Sequence, residues 1–300
     1  MKQGTYTIQG ALLGAALLVM PVGVAPAFSD DTLDARLDRA RSASYALPAG
    51  DAILRAQNAF TRWLKAPDRL EAARRLTRTG FDVFGLEAVA VSRPQSVVLI
   101  EKPQARDGRG LFATRIEGGM PLLIQAPHQY FDRRTGTLAR RLFMESTAVA
   151  AAWNTVHRYH GDDTDLVHIA DSYLHALSRA FADVYPDGRI LQLHGFSRDK
   201  RDTPAGRSAQ AILSDGSRSP PEALARLAGC LADRLDIQAR LYPRDVRELG
   251  ATTNTLAADV RRRGFNGFVH LELDASLRKR LIRDAAARAA LLQCVAKFDS

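Results

Sequence analysis

The chain has seven histidines, the side chain that most readily binds metals and moves protons near neutral pH, and none falls before residue 128. Two of them end apolar runs that read as strands. His128 follows the run at 122–124, in Gln-Ala-Pro-His-Gln-Tyr-Phe-Asp (125–132). His194 closes 190–193, in Leu-Gln-Leu-His-Gly-Phe (191–196). Open parallel sheets bind ligands outside the carboxyl ends of their strands, so both imidazoles sit where such folds build sites. Glu272 lies inside a third apolar run, Phe-Val-His-Leu-Glu-Leu (268–273). A carboxylate there is costly to bury unless it is paired or does chemistry. His270 alternates with Glu272 and shares its face. His157, His160, His168 and His175 read as surface or packing residues.

Two histidines and a carboxylate at one sheet edge suit a single zinc ion with an open coordination position. Asp132, four residues after His128, is the expected third ligand, and Glu145 on the following helix is the runner-up. Such an ion polarises a carbonyl and acidifies water. Glu272 is then the expected general base. Blander roles compete: Asp132 could cap the helix that starts at Thr135, and Glu272 could pair with an arginine. Arg198, Lys200 and Arg201, in a polar loop after His194, could meet an acidic substrate. Thr253, in Leu-Gly-Ala-Thr-Thr-Asn (249–254), could help bind an anion or oxyanion, or Thr253 or Asn254 could simply cap the next helix. There is no Gly-x-Ser-x-Gly elbow and no Cys-x-x-Cys.

These residues need a sheet with parallel strands to bring them together. Apolar runs at 97–100, 111–114 and 122–124 read as strands. From there helix 135–151 leads to a strand at 153–156, helix 170–184 to strand 190–193, and strand 209–213 to helix 220–233. Strand 237–241, helix 255–263, strand 268–273 and helix 275–297 follow. Strands alternating with helices predict an α/β fold with three layers, a mostly parallel (mixed) sheet and helices on both faces. The region 28–90 reads as a helical N-terminal extension, with helices opened by Asp51 and Asp68 and Gly80 as a C-cap. The catalytic domain is then 91–300.

At 300 residues, with 46% hydrophobic and 25% charged residues, the chain can bury an ample core, which excludes a disordered or small disulfide-held chain. The net charge is +9, nearly all the cations being Arg. The arginines are scattered and no nucleic-acid motif accompanies them, so no nucleic-acid partner is expected. Residues 1–27 read as a cleavable signal peptide: Lys2, an apolar run at 11–20, and Val-Ala-Pro-Ala at 24–27. Cleavage after Ala27 would give a periplasmic or secreted protein without a stable membrane anchor, since ten apolar residues are too few to span a bilayer. In an oxidising compartment Cys230 and Cys294 could pair, or they could be two buried apolar side chains.

Three local patterns resemble the N-formylglutamate amidohydrolase-like branch of the zinc carboxypeptidase-type superfamily. Ala-Pro-His (126–128) resembles its Pro-His zinc-ligand loop. Ser-Tyr-Leu-His-Ala-Leu (172–177) with Leu-Gln-Leu-His-Gly-Phe (191–196) is similar to its Tyr-His-x-x-Leu helix and ligand strand. His-Leu-Glu-Leu-Asp-Ala-Ser-Leu-Arg (270–278) looks like its strand carrying a site Glu. The resemblance covers about 120–270. It implies zinc hydrolysis of an amide beside a carboxylate, in a small acidic amide or peptide. It also implies an Asn-Arg pair for that carboxylate, with Asn154 and Arg158 in a comparable place. The usual His-x-x-Glu spacing would put an acid at 131, where this chain has Phe. The rival expectations are a non-catalytic periplasmic binding protein on the same fold and an envelope interaction protein.

Overall fold

The computed structural model describes residues 1, 33–48, 51–78, 86–91, 95–103 and 106–298. Nearly all of the expected signal segment, and Gly80, lie outside these residues. Three helices come first: α1 (Leu33–Arg39), α2 (Ala52–Lys65) and α3 (Arg69–Arg78). The sheet begins with β1 (Leu86–Val91), β2 (Ser96–Glu101), β3 (Leu111–Arg115) and β4 (Met120–Ala126). Then come α4 (Thr135–Glu145), β5 (Ala148–Trp153), α5 (Tyr173–Val184) and β6 (Arg189–Phe196). The short α6 (Pro204–Ser208), β7 (Ala211–Ser214), α7 (Glu222–Leu235) and β8 (Ala239–Leu241) follow. The chain ends with α8 (Thr255–Arg262), β9 (Phe268–Asp274), α9 (Ala275–Arg283) and α10 (Ala285–Ala296).

The nine strands among the described residues form one mixed sheet in the order β1-β2-β3-β5-β4-β6-β9-β7-β8. Its centre, β5-β4-β6-β9, is parallel. The β1-β2-β3 meander joins β5 antiparallel, and β7 runs antiparallel beside β9. Helices cover both faces, as expected. One core packs α1, α4, α7, α9 and α10 against residues such as Leu122, Ile124, Leu191, Leu193 and Leu271. The other packs α2, α3, α5 and α8 against Phe112, Leu123, Ile190 and Phe268. Strand side chains alternate between the two faces. Gln192 and His194 therefore share the face of Ile190, and His270 and Glu272 that of Phe268.

Several expectations need correcting. Helix 135–151 stops at Glu145, and Ala148–Trp153 (Ala-Val-Ala-Ala-Ala-Trp) is a strand, β5. Alanine favours helix locally, but here every residue is buried and the small side chains let helices pack closely on both faces. The helix expected over 275–297 is two helices. Asp284 interrupts them and accepts the Ala287 N–H at 3.0 Å, capping the second. The boundary expected at residue 90 falls inside the β1–β2 pairing. The N-terminal helices belong to the core: Trp63 and Phe60 of α2 are fully buried, with the Phe60 ring 5.0 Å from Phe112 of β3. Cys230 of α7 and Cys294 of α10 form a disulfide. Among the described residues no helix is long and apolar enough to cross a membrane.

Candidate metal centre

The central strands bring the site together through their register. Gln125 of β4 pairs with Gln192 of β6, Gln192 with His270 of β9, and His270 with Ser214 of β7. One step further along, His194 pairs with Glu272. A row of buried polar side chains thus crosses an otherwise apolar sheet, just below the carboxyl ends of the strands. After β4 the chain closes a single turn, with Asp132 N–H donating to the His128 carbonyl at 2.7 Å. That turn folds the Asp132 side chain back toward His128. The carboxylate then lies between two imidazoles: His194 Nδ1 is 3.1 Å and His128 Nδ1 3.6 Å from Asp132 Oδ2. All three residues are buried.

The hydrogen-bond network fixes which nitrogen of each ring carries the proton. Asn254 caps α8, its Oδ1 accepting the Ala257 N–H at 2.9 Å, so its Nδ2 is left to donate to Gln192 Oε1 at 2.7 Å. At the other end, the Ser178 hydroxyl donates to the Leu174 carbonyl and accepts from Gln125 Nε2. Gln125 Oε1 in turn accepts from Gln192 Nε2 at 3.0 Å. Both ends give Gln192 the same orientation. Its Oε1 faces His194 Nε2 at 3.1 Å and can only accept, so Nε2 bears the hydrogen. Burial holds the His194 pKa down at about 4, so the ring is neutral and its Nδ1 lone pair faces Asp132.

His128 follows the same logic. Its Nε2 donates to Asp165 Oδ1 at 2.8 Å, and its Nδ1 accepts from Arg158 Nη1 at 3.0 Å. Asp165 is also ion-paired with Arg158. Two imidazole lone pairs and a carboxylate therefore converge on one point. Electron-rich atoms at this spacing repel unless a cation lies among them. Such a donor set fits a divalent ion, and two His with one carboxylate is a ligand set of catalytic zinc. The fixed acceptors behind each ring are the outer partners that orient metal-binding imidazoles. In the structure the Arg158 guanidinium is the cation facing His128. A bound ion would take that place while Arg158 keeps Asp165.

Beside this cluster opens a cleft of about 760 Å³, lined by Asp132, His194, Glu272, Arg158, Arg201 and Arg278 among others. Glu272 is buried; its Oε1 lies 3.7 Å from His270 Nε2, and its Oε2 has no hydrogen-bond partner among the described residues. Burial, reinforced by the Asp132 charge, pushes its pKa up to about 8. Such a carboxyl is poised to exchange a proton near neutral pH.

Other expected residues stand elsewhere. Glu145 forms an ion pair at 2.6 Å with the buried Arg288, so the runner-up ligand is committed to holding α4 against α10. The Asn154 side chain is consumed by the backbone, donating to the Val156 carbonyl and accepting the Gln129 N–H at 3.3 Å, which takes it out of substrate binding. Arg158 lines the cleft, where it pairs with Asp165, lies over the Phe131 and Tyr159 rings and donates from Nη1 to His128 Nδ1. The Arg198 side chain lies over the Arg207 carbonyl in a separate pocket and not in this cleft. Thr253 is exposed and presents its carbonyl to His168, and Asn254 is the cap. The loop 199–208 is ordered: Glu248 accepts from Asp202 N, Thr203 N and the Thr203 hydroxyl.

The sequence reading missed Gln125, Gln192, Asp165 and Arg278, and it read Asn254 as a possible helix cap but missed its contact with Gln192. The one available signal was a polar residue alternating with His in an apolar strand, as at Gln192 and His194.

No known family profile matches the sequence, and no curated protein matches it. Solved structures of similar fold include an N-formylglutamate amidohydrolase from Ralstonia eutropha. It is 12% identical, with a TM-score of 0.42 over 64% of this chain and 98% of that one. A succinylglutamate desuccinylase from Chromobacterium violaceum is 12% identical, with a TM-score of 0.38 over 77% and 74%. A gene product of Agrobacterium tumefaciens is 13% identical, with a TM-score of 0.40 over 60% and 88%. The first bears the name of the family that the motifs resemble. At these values the likeness does not by itself place the chain in any of their families.

Proposed function

We propose that this chain is an exported, zinc-dependent amidohydrolase that cleaves an amide bond next to a carboxylate. Its substrate class is an N-acyl amino acid or a cell-wall-type peptide. The observation that carries the reading is the convergence of the His128 and His194 Nδ1 lone pairs on the Asp132 carboxylate, beside Glu272, whose Oε2 has no hydrogen-bond partner among the described residues. Export is supported by the signal-like N-terminus and by the Cys230–Cys294 disulfide, since such bonds persist in oxidising compartments. The arginine-rich cleft supports an anionic substrate.

In this mechanism His128, Asp132 and His194 hold the ion. Bound zinc supplies Lewis acidity toward a carbonyl and lowers the pKa of water. Glu272 takes the proton of the attacking water on its free Oε2 and returns it to the leaving amine. Its burial beside Asp132 gives it the affinity for a proton that this shuttle needs. Gln192 and Asp165 keep both rings in the tautomer that presents Nδ1, and Arg158 steadies Asp165.

The test is amine release from N-acyl acidic amino acids and from N-acyl peptides by the zinc-supplied chain, run beside Glu272→Gln. The expected result is turnover that falls about 10²–10⁴-fold in Glu272→Gln while its metal content is unchanged. A chain that holds zinc and binds these amides without turnover is a binding protein and contradicts the proposal.

A further inference from the structure

The floor of the cleft carries a feature that the metal cluster does not explain. Arg278, on α9, reaches back over β6 and lines the cleft beside Glu272. It is only 6% exposed. Its hydrogen bonds use a single nitrogen, Nη1, which donates to the Leu273 and Phe196 carbonyls. Nε is buried without a partner, and Nη2 has no acceptor among the described residues. No carboxylate among the described residues forms an ion pair with it, although Arg158, Arg179 and Arg288 each have one. Asp132, Glu272 and Asp274 act on it electrostatically but none pairs with it directly, so a buried guanidinium keeps donor capacity that the described residues do not use, which is costly unless something else uses it.

The backbone is built to admit this side chain. A Cβ on Gly195 would sit 2.3 Å from Arg278 Nη1 and 2.6 Å from Cζ, closer than atoms can approach. Gly195 directly follows His194, so the glycine lays the guanidinium against the strand that carries a candidate metal ligand. The cations nearer the rim differ from it. Arg158 is neutralised by Asp165, and Arg201 lies near Glu248 at 3.5 Å.

We propose that Arg278 forms an anion subsite on the cleft floor that takes the carboxylate of the substrate. The direct ion-pair partner that the described residues do not provide is then supplied by the ligand, through a guanidinium face suited to a planar carboxylate. This assignment rests on the amidohydrolase reading for its substrate and names the residue that selects an acidic one. It replaces Asn154 and Arg158 in that role. A single guanidinium matches a monoanionic carboxylate, whereas a phosphate dianion would call for a second cation without a direct partner.

The test is calorimetric binding of two probes to the full chain as purified: glutarate, with two carboxylates, and butyrate, with one. The expected wild-type preference for glutarate is on the order of 50-fold, the worth of one charge-assisted pair. In Arg278→Gln that preference falls to nearly one, with zinc content and melting temperature close to wild type. In Arg278→Lys it is intermediate, because an ammonium keeps the charge and loses the fork. If Arg278→Gln does not fold, the drop must appear in Arg278→Lys. The proposal is overturned if the preference survives in the variants, if the wild type shows none, or if inorganic phosphate binds more tightly than glutarate. A chain with no zinc but an Arg278-dependent preference would sink the hydrolase reading and keep the subsite. A chain that hydrolyses amides without this preference would do the reverse.

Discussion

Asn254→Asp is expected to weaken metal binding although residue 254 touches no candidate ligand. The cap itself survives, because Asp also accepts the Ala257 N–H and a negative charge is welcome at a helix N-terminus. What changes is the 2.7 Å contact to Gln192. There a donor becomes an acceptor, and two acceptors cannot stay so close. Gln192 must rotate its amide by half a turn to present Nε2 to residue 254. Its amide then presents N–H in place of oxygen to His194 Nε2, 3.1 Å away. The neutral ring answers by moving its hydrogen to Nδ1, against Asp132, and the lone pair needed for a metal ion is lost. Losing an outer partner of this kind costs about 10–100-fold in metal affinity, or about 1.4–2.8 kcal/mol. Competition with a chromogenic chelator measures the affinity, and nitrogen chemical shifts of the imidazole report the tautomer directly. Asn254→Ser, which keeps a cap oxygen and opposes nothing, should lose much less. Wild-type zinc affinity in Asn254→Asp would refute the tautomer argument.

Replacing both Cys230 and Cys294 by Ala releases a loop closed over 64 residues, and chain entropy puts the loss at about 4 kcal/mol by denaturant titration, with zinc content unchanged. Glu145→Ala should leave metal content intact but cost about 2 kcal/mol, since it strips the counter-charge from buried Arg288. A loss of zinc in that variant would restore Glu145 as a ligand. Stability should also fall with acid through His175, whose pKa is lowered to about 3 by burial and then by Arg179, partly offset by Asp259. The unfolded ring takes up a proton below pH 6.5 and the folded ring does not. Its contribution is therefore complete above pH 6.5 and declines by about 1.4 kcal/mol per pH unit toward pH 3. Equilibrium unfolding of His175→Gln between those limits should show a shallower slope.

The histidines at 128 and 194 were legible because each ends an apolar strand, and strand ends at the centre of an α/β sheet are where ligands bind. Asp132 was legible by its distance along the chain, since one closed turn suffices to bring it under His128. Gln125, Gln192 and the contact that the cap residue Asn254 makes with Gln192 were not. Their role exists only once β4, β6 and β9 are neighbours in a given register, and strand order is not written in local periodicity. That Arg278 has no direct ion-pair partner among the described residues was hidden for the same reason, since its surroundings come from β6 and β9. The misread strand β5 shows the converse case. Five of its six residues are Ala or Val, and only burial on both faces decides against the helix that its alanines favour.

The most direct test of the central claim is metal content by mass spectrometry on the zinc-supplied, purified chain, beside His128→Ala, Asp132→Ala and His194→Ala. One zinc per wild-type chain, lost in each variant, is the predicted result. A wild-type chain without metal, or variants that retain it, would contradict a metal centre at these three residues.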